Sequence, residues 1–155
     1  MDDVRAGVPT HALVSAVERP ETGSIGVAVI LRDRRRDTVH STSNSTSHRN
    51  IAAATYAALS EALLTARENG AYTMTVYCDV ASVVLQLNKQ QDVPAELRSA
   101  NLQLRALCNR FRRVDIKLAQ SGTHFTAHKL AAGAAQVPAQ RDLAQSALQL
   151  PLTGT

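Results

Sequence analysis

Asp79 ends an apolar, β-type run, Val76-Tyr77-Cys78-Asp79, and an apolar segment follows it, so one carboxylate stands where a strand gives way to the next element. A carboxylate so placed can hold a divalent cation or move a proton. It can equally cap the helix that follows, a role that needs no metal. Cys78, its neighbour, is a nucleophile in principle, and a strand thiol sheltered from solvent in the plainer reading. His124 and His128 are four residues apart and share one face of a helix, a spacing that suits Zn²⁺. Arginines gather twice: Arg32, Arg34, Arg35 and Arg36 in RDRRRD, flanked by Asp33 and Asp37, and Arg110, Arg112 and Arg113 further on. Guanidinium forks fit phosphates, although a solvated turn accounts for a charge run as well. No Ser-His-Asp order and no phosphate-cradling glycine loop is visible.

The elements that must position these groups follow from the pattern of apolar residues. Residues 11 to 17 and 24 to 31 are β-branched runs joined by ERPETG, whose Pro20 and Gly23 suit a turn, and residues 38 to 43 form a weaker third strand. The polar stretch 41 to 50, STSNSTSHRN, reads as a connector. Ala54, Ala58, Leu59, Ala62, Leu63 and Ala66 recur at helical steps within 51 to 69, and Gly70 closes that helix. A strand at 72 to 78 and a short helix at 80 to 88 come next. Pro94 then opens a longer helix with Leu97, Leu102, Leu104, Leu107 and Cys108 on or near its buried stripe. A last strand spans 114 to 119 and an Ala-rich helix 125 to 135, so the order is β-β-β-α-β-α-α-β-α.

The chain of 155 residues is enough for one core, and with 45% hydrophobic residues, no Trp and only three Tyr and two Phe, that core must be aliphatic. Residues 1–136 are expected to form the domain and 137–155 an extension with a short amphipathic helix over 140 to 150. A net charge of +4 mildly favours an anionic partner. Cys78 and Cys108 stand outside any CxxC pattern, so reduced thiols in the cytoplasm are expected. The acidic start MDDVRAGVPTHALV lacks the order of a secretion signal, and no apolar run approaches the roughly 20 residues of a membrane helix.

In this order of elements the residues resemble the ribonuclease H-like superfamily, in particular its compact reverse-transcriptase-like domains. The run Ala54-Thr55-Tyr56-Ala57-Ala58-Leu59-Ser60-Glu61-Ala62-Leu63 resembles the family's A-E-Y-x-A-L-x-x-x-L helix, and Asp79 to Asn88 resembles its D-S-x-x-V-V-x-x-L-N. Ser24 to Asp33 is similar to the family's second strand, and the resemblance extends over about residues 11 to 136. It implies an α/β domain with a mixed five-stranded sheet, three antiparallel strands then two parallel, and helices on both faces.

The resemblance also implies a chemistry: cleavage of RNA in hybrids by two divalent cations held by several carboxylates, since Mg²⁺ needs hard oxygen ligands and their negative charge. Placed on this chain, the four acidic positions fall on Ser15, Thr55, Asp79 and His128, and only Asp79 is acidic. His124 takes the place of the asparagine that precedes the last of them. The expectation is a catalytically degenerate module without a cofactor, bound to RNA, DNA or an RNA/DNA hybrid, or docked on a protein partner or a second copy. The alternatives are an active ribonuclease H using Mg²⁺ or Mn²⁺ at an atypical site, and a Zn²⁺ site of Asp79, His124 and His128, which the same register brings near one another. With so few aromatics, shape and charge rather than base stacking are expected to govern nucleic-acid binding.

Overall fold

The structure is a computed structural model that describes residues 7–48, 50–120 and 124–136. Its elements are β1 (Pro9–Glu18), β2 (Ile25–Asp33), β3 (Thr38–Thr46), α1 (Ile51–Glu68), β4 (Thr73–Cys78), α2 (Ala81–Leu87), a 3₁₀ turn (Ala95–Leu97), α3 (Arg98–Cys108), β5 (Arg113–Leu118) and α4 (Phe125–Ala135). The expected extension at 137–155 lies outside the described residues. No described helix is long and apolar enough to cross a membrane.

The five strands form one sheet in the order β3-β2-β1-β4-β5. β1, β2 and β3 pair antiparallel, whereas β4 and β5 join parallel, as the α/β reading required. Successive residues of a strand face opposite sides of a sheet. In β1, therefore, Ala12 and Val14 enter the larger core with Val29, Leu31, Met74, Val76 and the apolar face of α1, while Leu13 faces the other way with Ile30 and Ala127 of α4. Leu59 and Leu63 of α1 are wholly buried, each stabilising the fold by roughly 1.5–3 kcal/mol. Helices cover both faces.

The start of α1 is fixed by Asn50, whose side chain accepts from the Ala52 and Ala53 amides, and its end by Gly70 at a φ of 90°. On the opposite face α4 lies against β2 without an intervening side chain. A Cβ on Gly26 would come within 2.1 Å of the Ala131 carbonyl oxygen and 2.4 Å of the Ala135 amide nitrogen. Ala127, Ala131 and Ala135, four apart and buried, form the small-residue face that permits this approach.

Three sequence expectations need correction. β3 continues to Thr46, so much of the stretch expected to be a connector is strand. Its Ser, Thr and Asn side chains fit an edge strand, which need bury little and keeps its outer rim polar. Leu102 is 67% exposed; the buried stripe of α3 runs through Asn101, Leu104 and Leu107 instead. Asn101 is buried because it donates to the Tyr56 hydroxyl at 2.9 Å, which donates to Gln86 Oε1 at 2.8 Å, while Arg105 donates to Asn101 Oδ1 and the Gln86 carbonyl. Finally, Pro94 precedes a 3₁₀ turn, and the α-helix proper starts at Arg98.

Candidate functional site

Asp79 follows the last residue of β4, and the parallel pairing of Val14 with Cys78 brings it beside Ser15. Its expected capping role fails: α2 is preceded by Val80 and has no side-chain cap. The carboxylate turns instead toward β1. Oδ2 accepts the Ser15 hydroxyl at 2.5 Å and Oδ1 accepts the Ala16 amide at 3.3 Å. Ser15 is completely buried, so its hydroxyl has no solvent alternative.

Above the carboxylate lies the first turn of α4. His124 precedes that helix and is buried, with Nε2 2.8 Å from the Val14 carbonyl and 3.9 Å from Asp79 Oδ2. A carbonyl can only accept, so Nε2 carries the proton and Nδ1 holds the lone pair. That Nδ1 is buried with no hydrogen-bond partner. Burial lowers the pKa of His124 below its ordinary value, outweighing the opposing pull of the Asp79 charge and the Val14 carbonyl; His128 adds to the lowering. His128, one turn on and exposed, brings Nδ1 to 3.6 Å from Asp79 Oδ2.

Thr55 stands apart from this cluster in its bonding. It is buried in α1, and its hydroxyl donates to the Ile51 carbonyl of its own helix at 2.7 Å. The fold thus brings Ser15, Asp79, His124 and His128 within contact, while Thr55 makes no hydrogen bond to them among the described residues. Cys78 faces the larger core, and burial pushes its thiol up to about 12, far from the thiolate a nucleophile requires. Cys108 is partly buried and also raised by burial; both cysteines are free thiols.

Magnesium at this site would require several oxygen ligands bearing negative charge. One carboxylate is present among the described residues of the site, with a serine hydroxyl and a backbone amide donating to it. For zinc, the His124 nitrogen near Asp79 is Nε2, which carries the proton given to the Val14 carbonyl, so it offers no lone pair to a cation shared with Asp79 and His128. No group of three or more His, Cys, Asp or Glu side chains among the described residues is arranged to hold a metal ion. The donor set fits neither metal.

The arginines lie elsewhere. Arg34, Arg35 and Arg36 are exposed in the β2–β3 turn, shaped by Asp33, whose carboxylate accepts the Arg35 and Asp37 amides, and by Arg36 at a φ of 68°. Arg110, Arg112 and Arg113 are exposed before and at the start of β5. Because Pro9 pairs with Asp33 and Thr73 with Arg113, both clusters sit at one end of the sheet. Asp79 is at the other, six strand positions away, or about 20 Å.

The protein-family model described as reverse transcriptase-like matches residues 14–134. Among solved structures, the N-terminal ribonuclease H domain of a Mycobacterium tuberculosis protein is similar at 22% identity, covering 88% of this chain and 96% of that one with a TM-score of 0.74. Ribonuclease H1 of the halophilic archaeon Halobacterium salinarum is 25% identical over 80% of this chain and 95% of its own, with a TM-score of 0.72. A ribonuclease H1 isolated from compost, solved in complex with an RNA/DNA hybrid, is 18% identical over 81% and 96%, again with a TM-score of 0.72. No curated protein matches the sequence.

Proposed function

The chain belongs to the reverse transcriptase-like family and has the ribonuclease H-like fold, and from that premise we propose that it is a catalytically degenerate member that associates with nucleic acid without cleaving it. The observation that carries this reading is the company Asp79 keeps: a serine hydroxyl, a backbone amide and two histidine rings surround it, and no second carboxylate among the described residues is there to share a cation. His124, above it, is held neutral by burial, so it brings no negative charge toward a divalent cation.

Binding falls to the arginines of the β2–β3 turn and of the β5 start, Arg32, Arg34, Arg35, Arg36, Arg110, Arg112 and Arg113, at one end of the sheet. Their forks suit phosphates, and the overall charge of +4 favours approach to a polyanion. An RNA/DNA hybrid is the first substrate to test, since a neighbour of this fold is solved with one.

The test is a cleavage and binding assay on a labelled hybrid in Mg²⁺ and in Mn²⁺, with Asp79→Asn alongside. Binding that weakens as salt rises, without cleavage, is the expected result. Cleavage that Asp79→Asn abolishes would establish the active ribonuclease H instead.

A further inference from the structure

The side of the sheet that faces α4 is only partly covered by it. Strand alternation and register place two rows of residues there: Arg32, His11, Thr75 and Asp115 across one row, and Ile30, Leu13, Tyr77 and Lys117 across the next. Leu13 and Ile30 lie under α4 with Ala127, and Tyr77 rests against that cluster. The rest stays open to solvent: His11, Arg32, Thr75 and Tyr77 in part, Lys117 fully.

Two rings stand together on this open face. His11 and Tyr77, on the neighbouring strands β1 and β4, are parallel to within 6°, with centroids 6.4 Å apart. His11 Nδ1 bonds the Thr10 hydroxyl at 2.8 Å, which steadies the imidazole. Burial and the nearby Arg36 guanidinium lower its pKa, so it presents a neutral ring. Cations border the pair: Arg36 near His11, Arg32 beside it, and Lys117 beside Tyr77. Among the described residues the Arg32 Nε, sheltered from solvent, has no hydrogen-bond partner. The one acid of the two rows, Asp115, is bound by Arg113 at 2.9 Å, which offsets its charge.

Parallel rings on an open sheet face, flanked by cations, are the arrangement on which unpaired bases stack while their phosphates are neutralised. We infer that this face binds single-stranded nucleic acid, with bases on His11 and Tyr77 and phosphates on Arg32, Arg36 and Lys117. The inference rests on the nucleic-acid reading above and gives it a surface. A duplex keeps its bases stacked on one another, so it cannot use the rings.

The test is fluorescence anisotropy with labelled oligouridylate and oligothymidylate of about 12 nucleotides, and a labelled RNA/DNA hybrid, against the wild type, Tyr77→Leu, Tyr77→Phe, His11→Gln and Lys117→Gln. Thermal melts establish that each variant folds. Tyr77→Leu and His11→Gln are each expected to weaken single-strand binding about 5-fold or more, and Tyr77→Phe to preserve it, with the hybrid unaffected. Lys117→Gln should reduce the slope of log affinity against log salt by about 0.7. Comparable affinity for the two single strands is expected, because neither stacking nor phosphate contact reads the 2′-hydroxyl. Folded Tyr77→Leu and His11→Gln proteins that bind single strands as the wild type does, or that lose hybrid binding equally, would overturn the platform alone. A wild type that binds none of the three probes would overturn the nucleic-acid reading itself.

Discussion

Ser15→Asp tests the site most directly, because it returns a second acid to a carboxylate that has come to depend on a hydroxyl. Ser15 Oγ lies 2.5 Å from Asp79 Oδ2 and the residue is wholly buried, so the introduced carboxylate has nowhere else to go. Two unit charges about 3.5 Å apart repel by about 5 kcal/mol at an effective dielectric of about 20. Protonation limits the loss: raising one carboxyl from its ordinary range near 4 to pH 7 costs about 4 kcal/mol, at about 1.4 kcal/mol per pH unit. Ser15→Asn supplies nearly the same volume without the charge, which cancels the cost of overpacking. The Asp variant should therefore be less stable than the Asn variant by about 3–4 kcal/mol at pH 7, against less than about 1 kcal/mol at pH 4, where the introduced acid is protonated.

Urea titrations of both variants at the two pH values measure this difference. A marginally stable domain has about 5–15 kcal/mol in hand, so both variants should remain folded at pH 7. Millimolar Mg²⁺ should stabilise the Asp variant and leave the wild type unchanged, since ligand binding to the folded state adds stability and only the variant offers two carboxylates. Equal stability of the two variants at pH 7 would refute the contact between Ser15 and Asp79, and with it the account of how the carboxylate is kept without a cation.

Gly26→Ala forces a Cβ into the α4 backbone at 2.1 Å, so the helix must move by about 1 Å; a loss of roughly 2–3 kcal/mol and a lower melting temperature by several degrees are expected. The His128 ring signals should shift in the same variant, because α4 carries that ring to Asp79. His124 has a pKa lowered chiefly by burial, so the unfolded chain binds its proton more readily: its contribution to stability is whole above the ordinary value of 6.5 and falls as pH drops below that. Urea midpoints at pH 7.5 and pH 5 should show the decline, with His124→Asn shrinking it; His11, shifted the same way, leaves a remainder. Tyr56→Phe leaves Asn101 Nδ2 and Gln86 Oε1 without their buried partner, and chemical denaturation should register a loss of about 1–3 kcal/mol.

Much of this molecule is readable from local pattern. The helical recurrence from Ala54 to Ala66 predicts the buried face of α1, and the β-type run that ends before Asp79 predicts where β4 ends. What escapes pattern depends on contacts between distant residues. Asp79 resembles a helix cap in sequence because capping is a local property, and it bonds β1 instead because a parallel pairing puts a residue 64 positions away against it. Leu102 and Asn101 differ by one helical position, and Asn101 can take the buried one, in phase with Leu97 and Leu104, because the Tyr56 hydroxyl across the interface accepts its amide. The count of Phe, Tyr and Trp argues against base stacking, yet the Tyr77 ring meets the His11 imidazole because β1 and β4 are neighbours. Composition cannot express that.

The bonding around Asp79 also bears on how far this site stands from catalysis. A half-buried carboxylate is compensated in one of two ways: by a cation shared with other acids, or by donors supplied by the protein. Here the second holds, through the Ser15 hydroxyl and the Ala16 amide, with His124 locked to the Val14 carbonyl above them. The first is costly to gain one acid at a time, because a lone added acid meets repulsion and two carboxylates hold a cation only weakly. An acid at position 15 alone costs stability; one at position 55 starts from a hydroxyl turned back onto its own helix. On the function proposed above, metal-dependent cleavage would require several substitutions together. Binding by the arginines at the far end of the sheet would require none.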